Sequence, residues 1–248
     1  ISIRILVEGY LVSSNLWYIR VIIPLSSSKF VLFSDKELFN KIKIKVIKKK
    51  MNFLSIDSTL KQMIFFLKYE KRTYISKYHN TKENNENFIN LLINFLDKNN
   101  LKLHNIENIF VNQGPGNFSS IRTSISVAKG LKISSKLKLF GYNTFDLLGS
   151  TFYNKSLIIL IHKEQSNFFI QEFGCNLKKN KNPKIMDLKK INIMKGKELL
   201  IFNYNKNKAL EFIKRKFLYI DKIHYKNLDF LYEKNLIIKK LIKPLYLS

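Results

Sequence analysis

The chain predicts an α/β fold of two lobes with mixed sheets. Three observations carry that expectation. Between residues 53 and 132, three strand-patterned segments come in succession and are followed by helix, strand and helix. A Gly114-Pro115-Gly116 turn joins a buried strand directly to a helix. Beyond Gly149 a second set of apolar strand segments begins.

Residues 1–50 stand apart. They hold no motif, begin with Ile, and close on the lysine-rich run Lys41–Lys50. Met51-Asn52-Phe53-Leu54-Ser55-Ile56-Asp57-Ser58-Thr59 reads as a protein start leading into a buried strand. Met51 is therefore expected to be the native initiator, and residues 1–50 an extension outside the fold. The competing expectation is a genuine strand pair, since Ile3 to Val7 and Trp17 to Ile23 have strand composition.

Phe53 to Ile56, Met63 to Lys68 and Thr73 to Tyr78 read as strands and Asn84 to Lys98 as a helix. Projected at about 100° per residue, Phe88, Ile89, Leu91, Leu92, Ile93, Phe95 and Leu96 span roughly 200° of arc. A helix lying on one sheet needs about half of that, so a second apolar partner is expected. Asn108 to Val111 is the short strand before the glycine turn, and Ser119 to Lys132 the helix after it. The glycines tolerate positive φ, Pro115 holds one torsion, and Asn117 or Ser119 can cap the helix. The first N–H groups would then be free for an anion or a neighbouring chain. The bland alternative is a tight turn with no ligand; the lysine of a P-loop and the spacing of a dinucleotide site are both absent. On this helix Ser119, Thr123, Ser126 and Gly130 form a stripe of small residues, and Ile121, Ile125 and Ala128 an apolar face. Small stripes let another helix approach closely. The two helices either pack on each other and the sheet or join an intermolecular bundle.

The second lobe shows strands at Ser156 to Ile161 and Phe168 to Phe173, a polar loop Asn176 to Pro183, and βα-like segments through Leu241. The expected domains are 1–50, 51–148 with the two helices just described, and 149–248, whose tail 236–248 returns towards the first lobe. No internal repeat is detectable in the sequence.

With 248 residues, 46% apolar and 13% aromatic, the chain can bury real cores. No apolar run approaches the roughly 18 residues of a membrane span, and no signal peptide is visible. The single cysteine, Cys175, excludes an internal disulfide and suits a cytoplasmic setting. The net charge of +26 suggests a nucleic-acid surface. Yet five of the 44 basic residues are arginine (Arg4, Arg20, Arg72, Arg122, Arg215) and 44 − 5 = 39 are lysine. Arg is the residue phosphate and base recognition enriches. Lysine accompanied by abundant Asn and Ile is explained better by an AT-rich genome.

Candidate chemistry is sparse. Asp57, followed by Ser58 and Thr59, ends the first strand where α/β sheets present ligands and could orient a metal-bound phosphate; an Asp capping a strand-end turn is at least as common. His79, His104, His162 and His224 are scattered without zinc spacing, Cys175 has no local partner, and no nucleophile elbow is present. The expected catalytic and metal residues of the chain are none.

Three segments together resemble the bacterial TsaB (YeaZ-like) family. They are Met51 to Thr59, the turn and helix Gly114-Pro-Gly-Asn-Phe-Ser-Ser-Ile-Arg122 with Ala128-Lys-Gly-Leu131, and the tail Pro244-Leu-Tyr246-Leu. The resemblance runs from Met51 to Ser248. It implies a two-lobed actin/Hsp70-like (ASKHA) fold, truncated relative to the active enzymes. It implies a noncatalytic subunit in threonylcarbamoylation of the adenosine following the tRNA anticodon. The implied partners are a TsaD-type catalytic paralogue, a TsaE-type ATPase and tRNA through the complex, with a homodimer through the same helices as an alternative assembly. ATP and metal would sit on the partners, so no cofactor is expected here. The implied partner interface is Phe88, Leu92, Phe95, Ser119, Ile121, Thr123, Ile125, Ser126, Ala128 and Gly130. Asp57, Ser58, Gly114, Pro115, Gly116 and Asn117 form the turn and a vestigial ligand site. Asn84-Asn85 stand where the family has His followed by Ser or Thr, Ser120 where it has Gly, and Ser248 where it has Arg. The segment Ile161 to Phe169 lacks the family's Asp-Ala-Arg. These departures fall on the cleft and not on the helix faces. A different class of function, an independent nucleotide-binding or peptidase-like enzyme, would need Asp57 and the glycine turn to hold nucleotide or metal.

Overall fold

The computed structural model describes residues 6–13, 16–22, 28–33, 51–194, 196–202, 213–214, 216–238 and 242–247. The run Lys41–Lys50 and Ser248 lie outside these residues, as do parts of the expected tail and of the βα-like region. The chain divides into two compact units, residues 1–49 and 50–248.

The first unit contains β1 (Leu6–Ser13), β2 (Leu16–Ile22) and β3 (Ser28–Phe33), paired in that order. Both pairings are antiparallel, with Tyr10 opposite Tyr18 and Ile19 opposite Val31.

The second unit holds two five-stranded mixed sheets. The first is built from β4 (Phe53–Asp57), β5 (Gln62–Tyr69), β6 (Arg72–His79), β7 (Asn108–Asn112) and β8 (Lys138–Tyr142), in the order β6-β5-β4-β7-β8. The second is built from β9 (Leu157–Glu164), β10 (Asn167–Phe173), β11 (Lys184–Asp187), β12 (Glu198–Phe202) and β13 (Phe217–Ile220), in the order β11-β10-β9-β12-β13. In each, the first strand is central, the next two add antiparallel on one side, and the last two add parallel on the other. The two halves thus repeat one topology without a repeated sequence.

The helices described are α1 (Lys82–Glu86), α2 (Phe88–Lys98), α3 (Phe118–Ser134), α4 (Thr144–Gly149), α5 (Leu188–Asn192) and α6 (Leu228–Glu233). The single helix expected over Asn84 to Lys98 is two, because Asn87 leaves helical geometry at φ −91°, ψ 15°. Thr81 caps α1 by accepting from the Asn84 N–H. None of these helices is long and apolar enough to cross a membrane.

Alternation along β4 assigns its side chains to two cores. Leu54 and Ile56, with Phe65, Ile109 and Val111, pack against Phe88, Leu92 and Phe95 of α2 and Ile121, Ile125 and Ala128 of α3. Phe53, Phe66, Phe110, Phe140 and Tyr142 on the opposite face share a core with Ile159, Ile161, Leu200 and Phe202 of the second sheet and with Leu228 and Leu231 of α6. The two lobes are therefore joined by a continuous apolar interior.

A buried carboxylate lies beside that interior. Asn143 caps α4 by accepting from the Asp146 N–H at 2.7 Å, and the Asp146 carboxylate accepts from Asn143 Nδ2 at 2.6 Å and Lys179 Nζ at 2.9 Å. Burial pushes the Asp146 carboxyl above its ordinary value, outweighing the opposing pull of Lys179 and Asn143. With the folded value raised, the native state holds its proton more tightly than the unfolded chain does. Stability from this group is full below the unfolded value and is lost as pH rises through the folded one. Asp146→Asn is expected to flatten that fall in urea titrations taken across the acidic range. Lys179→Met should cost about 1–2 kcal/mol at neutral pH, less than a fully buried pair because the lysine is half exposed.

Candidate functional site

The glycine turn docks on the end of β4. Gly114 has φ 117°, and a Cβ on Gly116 would lie 1.7 Å from the carbonyl oxygen of Thr59. Only a residue without a side chain permits that approach. The Asn117 N–H donates to the Thr59 carbonyl at 2.7 Å, and Ser58 Oγ donates to the Ser120 carbonyl at 2.7 Å. Asn117 then caps α3, accepting from the Ser120 N–H at 3.1 Å. At this helix end the N–H groups of Asn117 and Ser120 are already engaged within the chain.

Asp57 is buried at 3% exposure and fully engaged. Its Oδ1 accepts from the Thr59 N–H at 3.0 Å and Thr59 Oγ1 at 2.7 Å. Its Oδ2 accepts from Asn112 Nδ2 at 2.9 Å and from the Tyr225 hydroxyl of the second lobe at 2.9 Å. A carboxylate offers about four acceptor directions, and all four are taken. Asn112 also donates to Thr144 Oγ1 at 3.0 Å and accepts from the Gly114 N–H at 3.0 Å, tying the turn to α4. Nearby, burial and then the negative charge of Asp57 hold the Tyr142 hydroxyl well above its usual value, and it pairs with Ser55 Oγ at 2.9 Å.

A cavity of about 230 Å³ lies at the junction of the lobes, with Asp57, Gln62, Lys77, Asp221, His224 and Tyr225 among its lining residues. Among the described residues no three His, Cys, Asp or Glu side chains are placed to hold a metal. The donor set at Asp57 does not fit a metal-bound phosphate either, because its acceptor positions are filled by the chain itself. Cys175 is exposed. The segment that departs from Asp-Ala-Arg is an ordinary hairpin between β9 and β10, with Gln165 at φ 50° and its carbonyl within 3.1 Å of His162 Nε2.

Burial sorts the residues assigned to a partner. Phe88, Leu92, Phe95, Ile121, Ile125 and Ala128 are at most 3% exposed and belong to the chain's own core, so they cannot touch a neighbour directly. They are corrected from contact residues to core residues packed with the sheet. Ser119, Ser126 and Gly130 are exposed and Thr123 is half-buried. A Cβ on Gly130 would meet nothing within 4 Å. On α2 the outward residues are Ile89 and Ile93, 54% and 48% exposed.

The structure also brings together residues that spacing could not pair. The departures Asn85 and Ser120 are neighbours, Asn85 Nδ2 donating to Ser120 Oγ at 3.2 Å. Ile238 bridges Gly141 at the edge of the first sheet through bonds of 2.9 and 2.8 Å. The Leu245 N–H donates to the Gln113 carbonyl at 2.7 Å. Tyr246 stacks on Phe118 at 4.9 Å, and the Arg122 guanidinium lies 5.2 Å from the same ring. Two distant motifs thereby meet at the start of α3. Tyr225 is the residue of this site that the sequence did not announce; it lies 168 positions from Asp57 in an unremarkable segment.

The family model of TsaD, tRNA N6-adenosine threonylcarbamoyltransferase, matches residues 77–232, more than half of the chain. Among solved structures, the chain is similar to an uncharacterized protein with similarity to peptidase YEAZ from Pseudomonas aeruginosa. The identity is 12%, the TM-score 0.63, and the match covers 80% of this chain and 100% of that one. It is likewise similar to YeaZ from Pseudomonas aeruginosa, at 13% identity and a TM-score of 0.62, with the same coverage. At these identities the likeness is one of fold, and it is the α/β two-lobed fold that the sequence implied. No curated protein sequence matches significantly.

Proposed function

The chain is a YeaZ-like member of the TsaD family, and from that premise we propose that it is a noncatalytic scaffold subunit of the enzyme complex that threonylcarbamoylates the adenosine following the tRNA anticodon. The observation that carries this reading is the state of Asp57. The carboxylate at the end of the first strand of the lobe, where such a sheet presents ligands, is spent on four bonds within the chain. A subunit with its strand-end acid consumed in this way is suited to holding a shape. ATP and metal then belong to the partners, a TsaD-type catalytic paralogue and a TsaE-type ATPase, with tRNA bound through the assembled complex in the cytoplasm.

The surface offered to the paralogue is the exposed side of α2 and α3: Ile89 and Ile93 beside the small stripe Ser119, Thr123, Ser126 and Gly130. Small residues let a facing helix come close, and the two isoleucines supply apolar area at its flank. The buried residues beneath set the spacing of the two helices. The same face would serve a homodimer when the paralogue is absent.

Co-purification of the chain with the same organism's TsaD-type protein, followed by tRNA modification with and without the chain, tests the proposal. A complex and dependent modification are expected. Modification that proceeds unchanged without the chain would reject the scaffold role.

A further inference from the structure

We propose that Tyr225 is an internal latch, its hydroxyl occupying on Asp57 an acceptor position that a ligand would otherwise use and so fastening the end of β4 in the first lobe to the turn before α6 in the second. The assignment is independent of which partner binds the helices. A two-lobed protein that closes on a ligand takes the free energy of closure from contacts the ligand makes only in the closed state. Here the chain supplies those contacts itself.

The Tyr225 hydroxyl donates to Asp57 Oδ2 at 2.9 Å, and both residues are buried while lining the cavity between the lobes. The Tyr225 ring stacks on Phe66 of β5 at 5.6 Å with 26° between planes, so the hydroxyl is presented by a ring already fixed against the first lobe. Tyr225 opens the short turn that runs directly into α6, where Asp229 forms an ion pair with Lys68 of β5. The hydrogen bond, the stack and the ion pair thus join one strand end and one hairpin strand of the first lobe to one turn and helix of the second. Asp57 in turn is held by Asn112 and Thr59, so the acceptor cannot follow the tyrosine away without breaking the glycine-turn network.

Hydrogen exchange of the full chain, read by mass spectrometry over residues 54–62 and 223–231 with α2 as internal reference, tests the latch. In the wild type both segments should exchange as slowly as α2, and millimolar ATP with magnesium should leave them unchanged. Tyr225→Phe keeps the ring on Phe66 and removes the hydroxyl; both segments should then exchange about tenfold faster or more, with α2 unaltered. Two results would overturn the proposal. One is wild-type segments that gain protection with the nucleotide or that exchange far faster than α2, a comparison needing no variant. The other is a folded Tyr225→Phe protein whose two segments stay within about twofold of wild type.

Discussion

Gly116→Ala is expected to destabilise the protein by about 3 kcal/mol or more, a fall of roughly 10 °C in melting temperature for a unit of this size. The added Cβ would stand 1.7 Å from the Thr59 carbonyl oxygen, 2.5 Å from its carbon and 2.9 Å from its Cα. All three are backbone atoms, so no rotamer change relieves the clash and one chain segment must move. Moving the turn breaks the Asn117 bond to Thr59 and the Ser58 bond to Ser120, which together hold the start of α3 against the end of β4. Gly130→Ala is the matched control. Its Cβ meets open space within a helix, and stability should rise by about 0.5–1 kcal/mol. Calorimetry of the two variants separates the cases. A Gly116→Ala protein as stable as wild type would mean that the contact between turn and strand end is not a constraint.

Replacing Thr123 and Ser126 together by tryptophan is expected to weaken binding of the TsaD-type protein by roughly 100-fold or more, as removal of close approach at an interface centre does. Ser126 is exposed and Thr123 half-buried, its hydroxyl bonded only to the Ser119 carbonyl one turn back at 3.2 Å. The folded monomer should therefore keep its stability within about 0.5 kcal/mol. Affinity by titration calorimetry and melting of the isolated chain together read the result. Undiminished affinity would remove α3 from the proposed interface; a large loss of stability would show that the stripe serves the fold.

The lobes and most elements were legible because short strands and amphipathic helices are written in local periodicity. Strands at Phe53, Met63, Thr73 and Asn108 and the helix after the glycine turn fall within a residue or two of their expected bounds. The break at Asn87 was not legible, since Asn departs from helical geometry only where tertiary packing asks it to. The apolar faces of α2 and α3 were correctly identified as apolar, yet their destination was not. Periodicity states that a face must be covered and is silent on whether sheet or partner covers it.

By itself the sequence determined the alternation of strand and helix, the strand-to-helix turn at Gly114-Pro115-Gly116, and the stripe of small residues along α3. All of these are properties of neighbours within a few positions, where sterics and periodicity act directly. The tertiary structure alone decided that Asp57 would be consumed by Asn112 and Tyr225, that the tail would pair with Gly141, and that the lobes would share one core. These contacts join residues tens to more than a hundred positions apart. Each is selected by the closure of the whole chain, because a buried polar group must find whichever partner the fold brings within hydrogen-bond reach.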